Sequence, residues 1–491
     1  VKWENSTNEE VLERARAEIR KSCGGEAPPV YDPFSGGGSI PLEALRLGGD
    51  AFASDLNPVA CLILKVLLED IPRCGPALAD ELRQAGAKIK ESVEKGLGQY
   101  YPPDPDRARP IAYIWARTVR CEAPRCGAEI PLVRSFWLAK KEVKRRESGG
   151  WIKVRGRQAL RHVVERPQGG LPGLRFEVFE PTSDEDVPRG TVVRARATCP
   201  CCDARLAPDR VRMQLREQRG GADVLFDDGG RRIGGAMLLA VVTLSDVERG
   251  RRYRIAGAED YRVVHASQQA LIEFDRALLP SGLRPVPDEP CPVGGGRGAS
   301  RAFSVHAYGM TIWGDLFTAR QKLAIASFMS AVVRFASPAT QEVLTLMLDR
   351  LADRSSALCR WRPDADQEKV ENVFSRQALS TVWDFAEAVP TSASTGSWTD
   401  GLDVLASAVE RISAAKLAPG TVERGDAADQ TLPSDSAQIW FTDPPYYDAI
   451  PYADLSDFFF VWHKRTLPKS RLVRESMNNL GRSPAPLGEF L

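Results

Sequence analysis

The chain has 491 residues, 43% of them hydrophobic, so it can bury a large core, and its length favours two to four structural units over one. Lys and Arg number 66 against 65 Asp and Glu, a formal net charge of +1, so any grip on a polyanion must come from local patches. The longest apolar run, Ala236-Met-Leu-Leu-Ala-Val-Val-Thr-Leu244, is far shorter than the roughly 20 residues that cross a bilayer. No membrane span is expected, and without a secretion signal the expected location is the cytoplasm.

Val11, Leu12, Ala15 and Ile19 recur at helical spacing and predict a helix over 8–21, ended by Cys23-Gly-Gly25. Pro29-Val-Tyr-Asp-Pro-Phe34 reads as a short buried strand and Ser35-Gly-Gly-Gly38 as a turn. A helix over 40–47 and a second strand, Asp50-Ala-Phe-Ala-Ser-Asp55, complete a βαβ unit. Helical patterns cover 59–68 and 76–96, before the break Tyr101-Pro-Pro-Asp-Pro-Asp106. From about 112 to 206 the texture changes to short β-like runs with paired Cys and basic residues. Residues 207–300 are mixed and close on the flexible composition Val293-Gly-Gly-Gly-Arg-Gly298. Helical periodicity returns over 316–335, 340–352 and 399–415, and Ala437-Gln-Ile-Trp-Phe-Thr442 is a strand running into Asp443-Pro-Pro-Tyr446. The ends, Val1-Lys-Trp-Glu-Asn without an initiator Met and Gly488-Glu-Phe-Leu491 without a closing element, suggest a piece of a longer protein.

The segment Asp32-Pro-Phe-Ser-Gly-Gly-Gly38 lies where a strand hands over to a helix, and its glycines let the backbone approach a ligand that a Cβ would exclude. Asp55 closes the next strand, in position to accept hydrogen bonds from ribose hydroxyls, with Asn57 and Pro58 placed to border an adenine. The glycines do not spell Gly-x-Gly-x-x-Gly and no Lys-Ser or Lys-Thr follows, so dinucleotide and P-loop sites fit less well. The cofactor residues expected are Asp32, Pro33, Phe34, Gly36, Gly37, Gly38, Asp55 and Asn57.

In Asp443-Pro-Pro-Tyr446 the two prolines force an extended backbone and leave a carboxylate and a free carbonyl together. The exocyclic amine of a base is a poor nucleophile because its lone pair is delocalised into the ring. Asp443 and the Pro444 carbonyl are suitable acceptors for its two N–H bonds, and Tyr446 offers a face for a base swung out of the helix. Asp443, Pro444, Pro445 and Tyr446 are the expected catalytic residues.

Of ten Cys, five fall in two tight groups, Cys121-Glu-Ala-Pro-Arg-Cys126 and Cys199-Pro-Cys-Cys202, a spacing suited to tetrahedral zinc in a reducing compartment. The expected ligands are Cys121, Cys126, Cys199 and Cys202, although Cys201 could take the place of Cys202. Between the groups, Lys140, Lys141, Lys144, Arg145, Arg146, Lys153, Arg155, Arg157, Arg161 and Arg166 face only Glu142, Glu147 and Glu165, a balance that suits a phosphate backbone or a solvated hairpin.

The glycine loop and the Asp-Pro-Pro-Tyr motif together resemble the amino-group DNA methyltransferases. Trp115-Ala-Arg-Thr-Val-Arg-Cys121, Ile130-Pro-Leu-Val-Arg-Ser-Phe-Trp137 and Tyr446-Tyr-Asp-Ala-Ile-Pro-Tyr-Ala-Asp-Leu-Ser-Asp457 extend the resemblance to the zinc-ribbon-containing adenine-specific DNA methylases. That resemblance implies an α/β fold: a Rossmann-like class I methyltransferase sheet, here incomplete, interrupted by an inserted α+β region with a zinc ribbon. It also implies S-adenosyl-L-methionine as cofactor, a structural Zn2+, DNA as partner, and methyl transfer to adenine N6, with restriction-modification as a context. The segments then read as 1–105, the cofactor-binding half; 106–210, the zinc-ribbon insertion; 211–300, a mixed insertion for target recognition; and 301–491, helices and the catalytic half. The competing readings are an RNA-base methyltransferase and a zinc-ribbon nucleic-acid-binding protein whose methyltransferase domain is inactive.

Overall fold

Val30–Asp32, apolar but for its last residue, forms the inner strand β1 of a four-stranded parallel sheet in the computed structural model. The structure describes residues 8–147, 150–244, 250–294, 298–364, 368–394, 396–429, 432–446 and 449–477, with backbone only for 144–147, 150–154, 298–299 and 475–477. On one side of β1 runs β2 (Ala51–Asp55), followed outward by β3 (Thr421–Arg424), and on the other side runs β4 (Ile439–Trp440). Tyr31 pairs with Phe52 and with Trp440, so Asp32 stands level with Ala53 and β2 runs two residues further, to Asp55. The order β3-β2-β1-β4 reverses direction between β1 and β4. In open parallel sheets such a reversal separates the loops leaving two neighbouring strands and opens a crevice at their carboxyl ends.

Ala51 and Ala53 of β2 are buried against Leu45 of the helix Ser39–Arg46 and against Leu64 and Leu68. The helix Pro58–Leu64 begins with Pro at its first position and Asn57 as its cap, and it continues as a π-helical turn, Lys65–Asp70. A single α-helix over 59–68 was expected. The wider turn lets Lys65 bridge Asp70 at 2.8 Å and the Glu342 carboxylate.

The sheet belongs to one of two compact units, formed by residues up to Ile89, Met329–Leu348 and from Leu402 onward; the other comprises Lys90–Phe328 and Asp349–Gly401. These limits cut across the four segments read from the sequence, and the stretches 106–210 and 211–300 fall within a single unit. The second unit is built on an antiparallel sheet in which Met237–Leu244 lies between Arg251–Ile255 and Arg109–Ala116, with Asp384–Ala388 at the far edge. The long apolar run noted in the sequence is therefore an inner strand. Arg320 and Glu387 form a fully buried bidentate pair here, and Tyr101 and Trp115 also donate to the carboxylate. Arg117, with no exposed surface, donates to the carbonyls of Val382, Gly220 and Ala357. Among the described residues no helix is long and apolar enough to cross a membrane.

Candidate functional site

The glycine loop leaves the carboxyl end of β1 and the tetrapeptide leaves the carboxyl end of β4, its immediate neighbour. One hydrogen bond ties them: the Thr442 hydroxyl donates to Asp32 Oδ1 at 2.6 Å. The same oxygen accepts the Phe34 amide at 3.1 Å, and the Asp32 carbonyl accepts the Ser35 hydroxyl at 2.7 Å. Asp32 is only 1% exposed, so its side chain shapes the loop and joins the two motifs rather than facing a ligand. Thr442 was not singled out in the sequence. Its partner lies 410 residues away, and no local pattern announces such a contact.

Gly36 and Gly38 have φ of +51° and +83°, the left-handed region that favours glycine. A Cβ on Gly38 would meet the Leu64 and Leu67 methyl groups at 3.0 Å, so this residue, with Pro33, is buried packing. A Cβ on Gly37 would meet nothing within 4 Å. The accessible part of the loop is therefore Phe34, Gly36 and Gly37.

Asp55 accepts the Gly36 amide at 2.9 Å on one carboxylate oxygen and the Asn57 amide at 2.8 Å on the other. Burial pushes its pKa above the ordinary aspartate range, against the pull of those two amides, and the nearby Asp32 charge adds to the rise. Each oxygen keeps a second lone pair, so the group can still accept from a ligand. Asn57 is more fully engaged, because its Oδ1 accepts the Val59 amide at 3.0 Å and its Nδ2 donates to Ser456 Oγ at 2.9 Å. That amide caps a helix, and the side chain exposed beside Asp55 is Leu56, at 55%. The start signal Asn-Pro in the sequence could have given the cap.

Asp443, Pro444, Pro445 and Tyr446 are all exposed, Tyr446 by 79%. Strand β4 is an edge of the described sheet, with Trp440 and Phe441 exposed by 58% and 62%. The Trp440 ring also meets the buried Tyr31 edge-on at 4.8 Å.

In the other unit, Cys121, Cys126, Cys199 and Cys202 bring their sulfurs within 4.8 Å of one another. Cys121 to Cys202 is 3.6 Å and Cys126 to Cys199 is 3.8 Å. Four thiolates about 2.3 Å from a tetrahedral zinc sit about 3.8 Å apart, so the cluster has the dimensions of a closed metal site. Cys121 and Cys126 lie at the tip of the β-hairpin Thr118–Arg120 with Glu129–Pro131, and Cys199 and Cys202 at that of Arg196–Thr198 with Arg205–Leu206. The hairpin tips turn through left-handed residues, Arg125 and Gly127 in one and Asp203 in the other. Cys201 is buried outside the cluster, its sulfur 4.0 Å from the Gly173 carbonyl, so of the two adjacent thiols it is Cys202 that joins the other three. Of the basic run, the side chains of Lys144, Arg145, Arg146 and Lys153 lie outside the described residues.

No protein-family model, curated protein or solved structure matches the chain.

Proposed function

We propose that this chain catalyses S-adenosyl-L-methionine-dependent methyl transfer to the exocyclic amine of a nucleic-acid base, adenine N6 in DNA. The observation that carries the reading is the Thr442–Asp32 hydrogen bond. It holds the glycine loop and Asp443-Pro-Pro-Tyr446 side by side at the carboxyl edge of a parallel sheet whose strand order reverses there. The parallel order β3-β2-β1-β4 supports a Rossmann-like sheet, and the resemblance of both motifs to the amino-group methyltransferases supports the same reaction.

The loop residues fit the cofactor. Phe34, Gly36 and Gly37 offer an open backbone for its methionine part, Asp55 has acceptor capacity for a ribose, and the exposed Leu56 gives an apolar surface for an adenine. When bound, S-adenosyl-L-methionine supplies a methyl group on a sulfonium. Asp443 and the Pro444 carbonyl accept the N–H bonds of the target amine, contacts that strengthen as its nitrogen becomes tetrahedral. Pro445 keeps that carbonyl out of a helix, and Tyr446 replaces the stacking a flipped base loses. Zinc on the four cysteines is closed to substrate and serves the fold.

The test is to incubate the protein with labelled cofactor and unmethylated DNA or RNA, then identify the methylated nucleoside by mass spectrometry. N6-methyldeoxyadenosine from DNA is expected, with Asp443→Ala losing turnover by several orders of magnitude while still binding cofactor. Methylation of a ring carbon, or near-normal turnover by that variant, would refute the amine mechanism; label found only in RNA would move the substrate.

A further inference from the structure

Away from both sites, the three-stranded antiparallel sheet Trp137–Ala139, Gln158–Glu165 and Gly173–Phe179 has one face turned inward and one turned out. Leu160, Phe176 and Phe136 are buried on the inner side, while Arg161, Val163 and Glu165 alternate with it on the exposed side. Ala159 pairs across to Trp137 on one neighbour and to Phe179 on the other. Cross-strand partners share a face, so Trp137 and Phe179, each partly exposed, flank the buried Ala159 on that side.

Both rings carry cations. Arg157 lies 5.2 Å and Lys140 5.9 Å from the centre of the Trp137 ring, and Arg161 lies 5.4 Å from that of Phe179. Arg157 pairs with Asp184 at 2.7 Å and also donates to the Thr182 carbonyl at 2.8 Å, while Arg161 pairs with Glu177 at 2.8 Å; ion pairs at a surface contribute little. Residues 140–166 hold ten basic and three acidic residues in a chain whose formal net charge is only +1. Of the ten, Lys140, Arg157 and Arg161 have their charged groups beside the two rings.

We infer that this face binds single-stranded nucleic acid, stacking two unpaired bases on Trp137 and Phe179 while Lys140, Arg157 and Arg161 contact the intervening phosphates. An aromatic ring can reach the face of a base only when that base is unpaired, and stacking tolerates any sequence because every base has such a face. A duplex offers the same phosphates and hides its base faces. The inference rests on the proposed function only in taking nucleic acid as the partner, and it requires no methyl transfer.

Fluorescence anisotropy with a labelled 15-nucleotide oligo(dT) tests it, against a hairpin duplex of equal length and an oligo(U). The single strand should bind more tightly than the duplex. Trp137→Ala should weaken it about tenfold, the loss expected from one base–aromatic stack, and Phe179→Ala similarly. Trp137→Phe keeps a ring and should stay within a factor of about three. Oligo(U) bound with the same dependence on Trp137 supports stacking, which does not read the sugar. A protein that binds oligo(dT) through Trp137 but transfers no methyl group keeps this inference and ends the other. A Trp137→Ala protein that retains its melting temperature and its affinity overturns the platform, as does a duplex bound equally well whatever stands at 137 and 179.

Discussion

Replacing Thr442 by Val keeps its shape and removes the side-chain bond that joins the two motifs. The backbone bonds that flank the β1–β4 ladder are at the long end of the normal range, Gln438 N and Ile439 N to the Pro29 carbonyl at 3.3 and 3.2 Å and Phe441 N to the Tyr31 carbonyl at 3.2 Å. At 2.6 Å the hydroxyl contact to Asp32 is of charge-assisted length. Hydrogen bonds to charged groups contribute about 1.5–3 kcal/mol when buried. Thr442 itself is exposed and water can partly replace it, so about 1–1.5 kcal/mol is the expected loss. That loss should appear as a lower urea midpoint with unchanged slope. With β4 less firmly registered, the tetrapeptide shifts relative to the loop, and methyl transfer should fall at least tenfold while cofactor affinity holds. Thr442→Ser, which keeps the hydroxyl, should restore both. If the Val variant stayed within about 0.5 kcal/mol of the parent and turned over normally, the bond would not be what aligns the two motifs.

Gly37→Val should abolish cofactor binding in calorimetry without lowering the melting temperature, because its side chain enters open space in the crevice; Gly36→Val, at φ +51°, strains the backbone as well and should do both. Elemental analysis should find about one zinc per chain, lost in Cys199→Ser and retained in Cys201→Ser, since only the former sulfur belongs to the cluster. Glu387→Gln strands the fully buried Arg320 guanidinium and should cost about 3–5 kcal/mol in urea denaturation, with zinc content unchanged; a loss below about 1 kcal/mol would mean that water reaches the pair.

What the sequence made legible is what is local. The strand and turn at Pro29-Val-Tyr-Asp-Pro-Phe34 and the strand into Asp443 announce themselves through apolar residues broken by Gly or Pro, and the structure has β1 and β4 there. Strand β3, Thr-Val-Glu-Arg, escaped notice because it lies at a sheet edge and none of its residues is buried. It has neither the continuous apolar run of an inner parallel strand nor a clean alternation. The long-range polar contacts were equally hidden. Trp115 and Glu387 are 272 residues apart, and nothing in the neighbourhood of either shows that one would satisfy the other. The Cys201 and Cys202 ambiguity is of the same kind, since adjacent thiols differ only in the direction their backbone gives them. Asp203 at φ +58° closes the hairpin tip that carries Cys202 into the cluster.

The carboxylate at the end of β2 shows how a site residue can be visible in sequence for a reason that covers half of its work. Asp55 was read as an acceptor for a ribose, yet each of its oxygens already holds a backbone amide, one from the glycine loop and one from the cap of the next helix. A residue so placed makes the loop conformation and any ligand's hydrogen bonds depend on the same group. Its replacement by Asn would present an NH2 where one of those amides needs an acceptor, so the loop would open whether or not a cofactor binds. Loss of activity in such a variant would therefore be silent about the ribose. The open space beside Gly37 carries no fold-forming contact, and this makes the glycine, rather than the conspicuous acid, the position at which binding and folding can be separated.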